Sequence, residues 1–129
     1  MELKRVVVTG IGAITPLGNT FPETWENLKK GVSGCAPITK FDASKFKTQF
    51  ACEVKNFGPA DHFDRKEARK IDPYTQFALI ASKEAVTDSK LNLETVNKDR
   101  VGVIWGSGIG GIKTFQDEVT NFVGGDGTP

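Results

Sequence analysis

The chain has 129 residues, 38% of them hydrophobic and 26% charged, which is the composition of a soluble globular protein long enough for one domain with its own core. Its 17 basic and 16 acidic side chains leave a formal net charge of +1, which excludes a global attraction to nucleic acid or to a membrane surface. No apolar run has the length of a membrane span or a signal sequence, so we expect a cytoplasmic protein.

Two apolar, β-branched runs each lead directly into a glycine-rich turn. The first lies in residues 5–18, RVVVTGIGAITPLG, and the second in residues 101–112, VGVIWGSGIGGI. Runs without polar alternation are typical of strands covered on both faces by helices, and glycine allows a backbone to approach its neighbours closely. The pattern predicts a layered α/β protein whose function lies near the second turn.

A first helix is predicted between Thr20 and Gly31. Thr20 and Glu23 have the spacing of a capping box, and Gly31 suits a left-handed stop. Trp25 and Leu28 would then share an inward face.

Residues 32–57 lack helical periodicity, and the best candidate there for a short strand is residues 50–54, FACEV. Cys35 and Cys52 form no CxxC pair, so neither a disulfide framework nor a zinc site is predicted. Both cysteines are expected to be small buried hydrophobic residues, and His62 a surface residue.

A longer helix is predicted over residues 72–89, with Asp72 as its cap and Pro73 as its first residue. Its apolar face is small, which would let another backbone come close; the face consists of Tyr74, Phe77, Ala78, Ala81 and Ala85. Residues 113–122 predict a further short helix, with Phe115, Val119 and Phe122 on one side.

Four cations crowd two helical turns just before this helix, where Asp64 can cap the segment RKEARK. They are Arg65, Lys66, Arg69 and Lys70. Such a run is often only a solvated helix face. Alternatively, it is a docking site that attracts an acidic partner.

The segments that carry a family resemblance are, in chain order, residues 6–18, Phe41 and Asp42, the stretch DRKEARKID at 64–72, and GSGIGG at 106–111. With them the sequence resembles the β-ketoacyl-acyl carrier protein synthases, the condensing enzymes of fatty acid synthesis. The resemblance covers the whole chain, and Ile109 is similar to the elongating, type II members. It implies an α/β fold of the thiolase type, with αβαβα layers, two similar halves per subunit and a homodimer. Residues 1–129 would be the N-terminal part of the first half, with the remainder of the enzyme absent, so we expect the isolated chain not to be a stable monomer.

The same resemblance implies a decarboxylative Claisen condensation, carried out by a cysteine and two histidines that lie beyond these residues. We therefore expect no catalytic residue here, no cofactor, no metal, and no nucleic-acid or membrane partner. The implied partner is an acyl carrier protein bearing acyl or malonyl phosphopantetheine. Lys66, Arg69 and Lys70 would dock that carrier, and Ile109 would help to close the acyl pocket, reaching it from the partner subunit.

A dinucleotide-binding module is the alternative, because Gly106, Gly108 and Gly111 satisfy GxGxxG after an apolar run. That fingerprint needs a second strand ending in an acidic residue about 20 positions on. A helix and a loop with Asp126 are predicted there instead.

Overall fold

The computed structural model describes residues 3–125. The elements in chain order are helix α1 (Phe21–Lys29), strands β1 (Ala36–Pro37) and β2 (Phe50–Ala51), and helices α2 (Arg65–Lys70), α3 (Pro73–Ser89) and α4 (Ile112–Gly124). Short 3-10 turns lie at Pro59–Asp61 and Lys98–Arg100. One compact unit contains α1, β1, β2 and the C-terminal part of α3, and the other contains α2, the N-terminal part of α3 and α4.

In the first unit, the N-terminal glycine turn lies directly against α3. A Cβ atom on Gly12 would overlap the carbonyl oxygen of Ala81, and one on Gly10 would overlap that of Ala85. Ala81 is only 3% exposed. The prediction that the alanine face of this helix admits a close backbone is therefore confirmed, and glycine is what makes the approach possible.

Two acidic residues of α3 hold the same turn by its backbone. The Glu84 carboxylate accepts hydrogen bonds from the Ala13 N–H at 2.8 Å and the Phe21 N–H at 2.9 Å, which ties the turn to the start of α1. Asp88 accepts from the Ile11 N–H at 2.9 Å. These carboxylates satisfy N–H groups that no strand partner satisfies at these positions.

Helix α1 begins and ends as predicted. The Thr20 hydroxyl accepts from the Glu23 N–H, and Gly31 has φ +69°, the left-handed conformation. The Glu23 carboxylate reaches the Asn19 N–H at 2.8 Å, one residue before the position expected for a capping box. The inward face was wrongly predicted, because Trp25 and Leu28 are 48% and 55% exposed and α1 has no buried residue.

The two strands predicted from the apolar runs are absent from the part of the chain that the structure describes. Residues 6–8 and 101–105 belong to no strand, and Val6 is 89% and Ile104 99% exposed. A strand needs a neighbour to accept and donate its backbone hydrogen bonds, and residues 3–125 supply none for these runs. The prediction of strands was therefore wrong for this chain.

Strands β1 and β2 form an antiparallel ribbon, with Ala36 opposite Ala51 and Pro37 opposite Phe50. The strand predicted at residues 50–54 is thus present in a shorter form. Cys35 and Cys52 flank the ribbon and are both exposed, so the prediction that they are buried was wrong. A ribbon of two residues per strand has too little area to cover them.

The chain buries little of its apolar surface. Within the described range the buried residues are Ala43, Gln76 and Ala81, besides Gly18. The accessible surface is 10977 Å², whereas a folded monomer of this 14.0 kDa mass exposes about 6700 Å². The expectation of a domain with its own core, drawn from length alone, was wrong.

Candidate functional site

The predicted docking residues lie on α2, which Asp64 caps as expected. One oxygen of the Asp64 carboxylate accepts from the N–H groups of Lys66 and Glu67, at 2.8 and 2.9 Å. The carboxylate also lies at the positive end of the helix dipole. A helix of only six residues depends on such a cap, because it has few internal hydrogen bonds.

All four cations of α2 are exposed; we call Arg65, Lys66, Arg69 and Lys70 together the basic helix. Within residues 3–125, the ion pairs are Lys29 with Glu26 and Lys113 with Asp117, so no cation of the basic helix is in an ion pair. Glu67, on the same helix, offsets only part of its positive charge. Arg69 and Lys70 occupy its last turn, where cations are favourable. The result is a concentrated positive surface within a chain whose net charge is only +1.

Gln76 holds the end of the basic helix in place. Its side-chain Nε2 donates to the Ala68 carbonyl at 3.0 Å and to the Ile71 carbonyl at 3.1 Å. It is 4% exposed, so these bonds form away from water, while its Oε1 has no partner among the described residues. Sequence reasoning missed Gln76; the only signal was a polar side chain in the first turns of a largely apolar helix.

The second glycine turn is fixed against the start of α3. The Asp72 carboxylate caps α3 at the Tyr74 N–H, 3.0 Å away, and accepts from the Thr114 hydroxyl at 2.6 Å. These two bonds, chiefly that of Thr114, lower the pKa of Asp72 below its ordinary value. A Cβ on Gly110 would lie 3.0 Å from the Tyr74 ring, so this glycine permits a close approach.

Ile109 lies in that turn with 71% of its surface exposed. Gly106 and Gly108 have open space around them, whereas Gly111 adopts φ +72° and is the N-cap residue just before α4. The structure thus brings Lys66, Arg69 and Lys70 together on α2, while Ile109 lies on a separate element. The strand that a dinucleotide-binding fingerprint requires before its glycines is absent at residues 101–105.

Other candidate chemistry is sparse in the described range. No group of three His, Cys, Asp or Glu side chains in residues 3–125 is arranged to hold a metal ion. His62 is exposed, as predicted, with its ring 6.4 Å from that of Phe63. Over the same residues, no helix combines the length and the apolar character needed to cross a bilayer.

The sequence matches the family model of the β-ketoacyl synthase N-terminal domain over residues 3–125. The chain belongs to the β-ketoacyl synthase family. It is 48% identical over 120 residues to the 3-oxoacyl-[acyl-carrier-protein] synthase 2 of Synechocystis sp., covering 93% of this chain and 29% of that protein. It is 50% identical over 113 residues to the protein of the same name from Staphylococcus aureus strain COL, covering 88% and 27%.

A solved structure, the ishigamide ketosynthase/chain length factor, matches with a TM-score of 0.58 and 33% sequence identity, covering 70% of this chain and 23% of that one. The β-ketoacyl synthase resemblance and the α/β, thiolase-type fold class are therefore confirmed. The family match favours this resemblance over the dinucleotide-binding alternative. The chain spans less than a third of the length of these curated relatives.

Proposed function

We propose that this chain is the N-terminal part of a 3-oxoacyl-acyl carrier protein synthase of fatty acid synthesis, and that residues 1–129 belong to the first thiolase-like half. The family match over residues 3–125 carries the proposal, together with about 50% identity to relatives bearing that name. The complete cytoplasmic enzyme joins an acyl thioester to malonyl carrier protein with loss of carbon dioxide. It is an acyltransferase that works as a homodimer.

The catalytic groups of this reaction lie outside the chain. A cysteine thiolate accepts the acyl group, and hydrogen-bond donors stabilise the oxyanion that develops as the malonyl group loses carbon dioxide and attacks. Cys35, Cys52 and His62 take no part in this chemistry. Residues 1–129 supply part of the scaffold, part of the wall of the acyl pocket and the docking surface. Alone they are inactive.

The basic helix is the proposed docking site for the acyl carrier protein, which brings acyl or malonyl phosphopantetheine. Its cations are exposed and form no ion pair within residues 3–125, which suits an acidic partner, and they attract it over distances of roughly 10 Å at ordinary ionic strength. Asp64 at one end and Gln76 at the other hold the helix in shape before the carrier arrives. A preformed surface loses less entropy when it binds.

The test reverses charge in the complete enzyme by Lys66→Glu, Arg69→Glu and Lys70→Glu together. We expect carrier affinity to fall about tenfold or more at low salt, and the salt dependence of binding to shrink, because steering and pairing are both lost. Calorimetric titration with acyl carrier protein gives the affinity. A steady-state assay of 3-oxoacyl product tests the condensation itself.

A matched control reverses three exposed lysines elsewhere, Lys45, Lys47 and Lys83, and so changes net charge by the same amount. This control should retain most of the affinity. If it loses as much as the α2 variant, or if the α2 variant binds normally at low salt, the docking proposal is wrong. If the unmodified enzyme forms no 3-oxoacyl product, the proposed reaction is wrong.

A further inference from the structure

The register of the β1–β2 ribbon brings the two cysteines together. Ala36 lies opposite Ala51 and Pro37 opposite Phe50, so one further step toward the open end places Cys35 opposite Cys52. They are 17 positions apart in sequence, and only the antiparallel pairing makes them neighbours.

The hydrogen-bond pattern of the ribbon determines how close this pair is. Pro37 has no N–H, so Pro37 and Phe50 form a pair without mutual hydrogen bonds, and the Ile38 N–H bonds the Gln49 carbonyl at 3.0 Å. Because the two kinds of pair alternate, Cys35 and Cys52 form another non-hydrogen-bonded pair. The Cα atoms of such pairs are about 4.5 Å apart, at the short end of the range that a disulfide spans.

The two thiol groups lie near enough to influence each other, as the register of the ribbon requires. A hydrogen bond with the Cys35 side chain is the chief cause that raises the pKa of the Cys52 thiol above its ordinary value. Both side chains are exposed, so a small reagent reaches them without any opening of the fold. The Cys35 N–H also donates to the Ser33 hydroxyl oxygen at 3.2 Å, which restrains the backbone on one side of the pair.

We propose that Cys35 and Cys52 are a redox modification site, a cross-strand dithiol that closes to a disulfide by exchange with a low-molecular-weight disulfide. One thiol loses its proton to water, and its thiolate attacks a sulfur of the small disulfide. The S–S bond breaks and one small thiolate leaves with the electron pair. The second cysteine then loses its proton and attacks the protein sulfur of this mixed disulfide, releasing the other small thiolate.

The balance of the reaction is one protein dithiol and one small disulfide giving one protein disulfide and two small thiols. Two electrons pass from the protein to the small disulfide. Because the pair is exposed and its Cα separation is short, the bond is readily reduced again by the reverse exchange. The modification is therefore reversible. The two cysteines are distinct from the proposed docking residues.

The test exposes the complete enzyme to buffers of reduced and oxidised glutathione in graded ratios, quenches with acid and blocks free thiols. Tryptic peptides 31–40 and 48–55 each contain one cysteine, so a peptide linking them reports this pair and no other thiol of the protein. We expect the linked peptide to dominate at oxidising ratios and to disappear at reducing ones. This readout does not depend on condensing activity.

A displaced variant, Cys35→Ser with Ala36→Cys, keeps two cysteines but moves one to the opposite face of the ribbon. It should stop at the mixed disulfide with glutathione, as should Cys35→Ser alone. Mixed disulfides without the linked peptide in the unmodified enzyme would overturn the proposal, as would unmodified thiols at every ratio. Equal closure in the displaced variant would also overturn it, since the register would then be irrelevant.

Discussion

The role proposed for Ile109 depends on the volume of its side chain. It is 71% exposed in a turn that Asp72, Thr114 and Gly110 hold against α3. A β-branched side chain carried on a fixed backbone can act as a stop for a flexible ligand. In the proposed enzyme this ligand would be the end of the acyl chain.

Replacing Ile109 by Ala in the complete enzyme should shift preference toward longer acyl chains. Each carbon of pocket length gained or lost changes relative kcat/KM by on the order of tenfold. The measurement is kcat/KM across a series of acyl carrier proteins of increasing chain length. Ile109→Val, which removes one methyl group, should give a smaller shift in the same direction, and an unaltered profile in both variants would contradict the role.

At the scale of elements, the packing of the first glycine turn on α3 depends on the absence of a side chain at Gly12. Gly12→Ala should destabilise the protein by about 1 to 3 kcal/mol, because its Cβ would press on the helix backbone, which cannot move aside as a flexible side chain would. Chemical denaturation at one fixed protein concentration measures the change. Gly102→Ala is the control, since that position is open and should change stability little; equal losses in both variants would refute the packing argument.

Elements specified by local signals were predictable from the sequence. Three helix starts are marked by residues close together in the sequence, and the structure has a helix at each of them. The marking residues are Thr20 with Glu23, Asp64, and Asp72 with Pro73. Because Asp64 marks the start of α2, the grouping of the four cations of the basic helix on one short helix was also predictable. Gln76 was missed, because its role depends on which carbonyl groups the fold brings to it.

Elements that need a distant partner were not predictable in this way. The runs at residues 6–8 and 101–105 have strand composition, yet composition cannot supply the neighbouring strand. The pairing of Cys35 with Cys52 depends on register between segments over a dozen residues apart, and Pro37 is atypical of a strand. No local pattern carries that information.

At the scale of the whole molecule, exposed apolar surface is the dominant property. The accessible area exceeds that of a folded monomer of this mass by more than half, and Ile112, Phe115, Val119 and Phe122 are all exposed along α4. Apolar surface on this scale marks sites of association.

The isolated chain should therefore associate rather than persist as a stable monomer. Sedimentation velocity over a wide concentration range should show species heavier than 14.0 kDa, and thermal unfolding should vary with concentration. A single 14.0 kDa species with a cooperative, concentration-independent transition would show that the chain is stable alone.

The hydrogen bonds from the N-terminal turn to Glu84 and Asp88 imply that some positions tolerate substitution better than others. Both carboxylates bind backbone N–H groups, at Ile11, Ala13 and Phe21, and every residue type except proline offers such a group. The side chains at those three positions are thus free to vary as far as this contact is concerned. The constraint falls on the two acidic residues of α3. Substitutions at the three backbone positions, other than to proline, keep these hydrogen bonds, whereas a single substitution of Glu84 removes two of them.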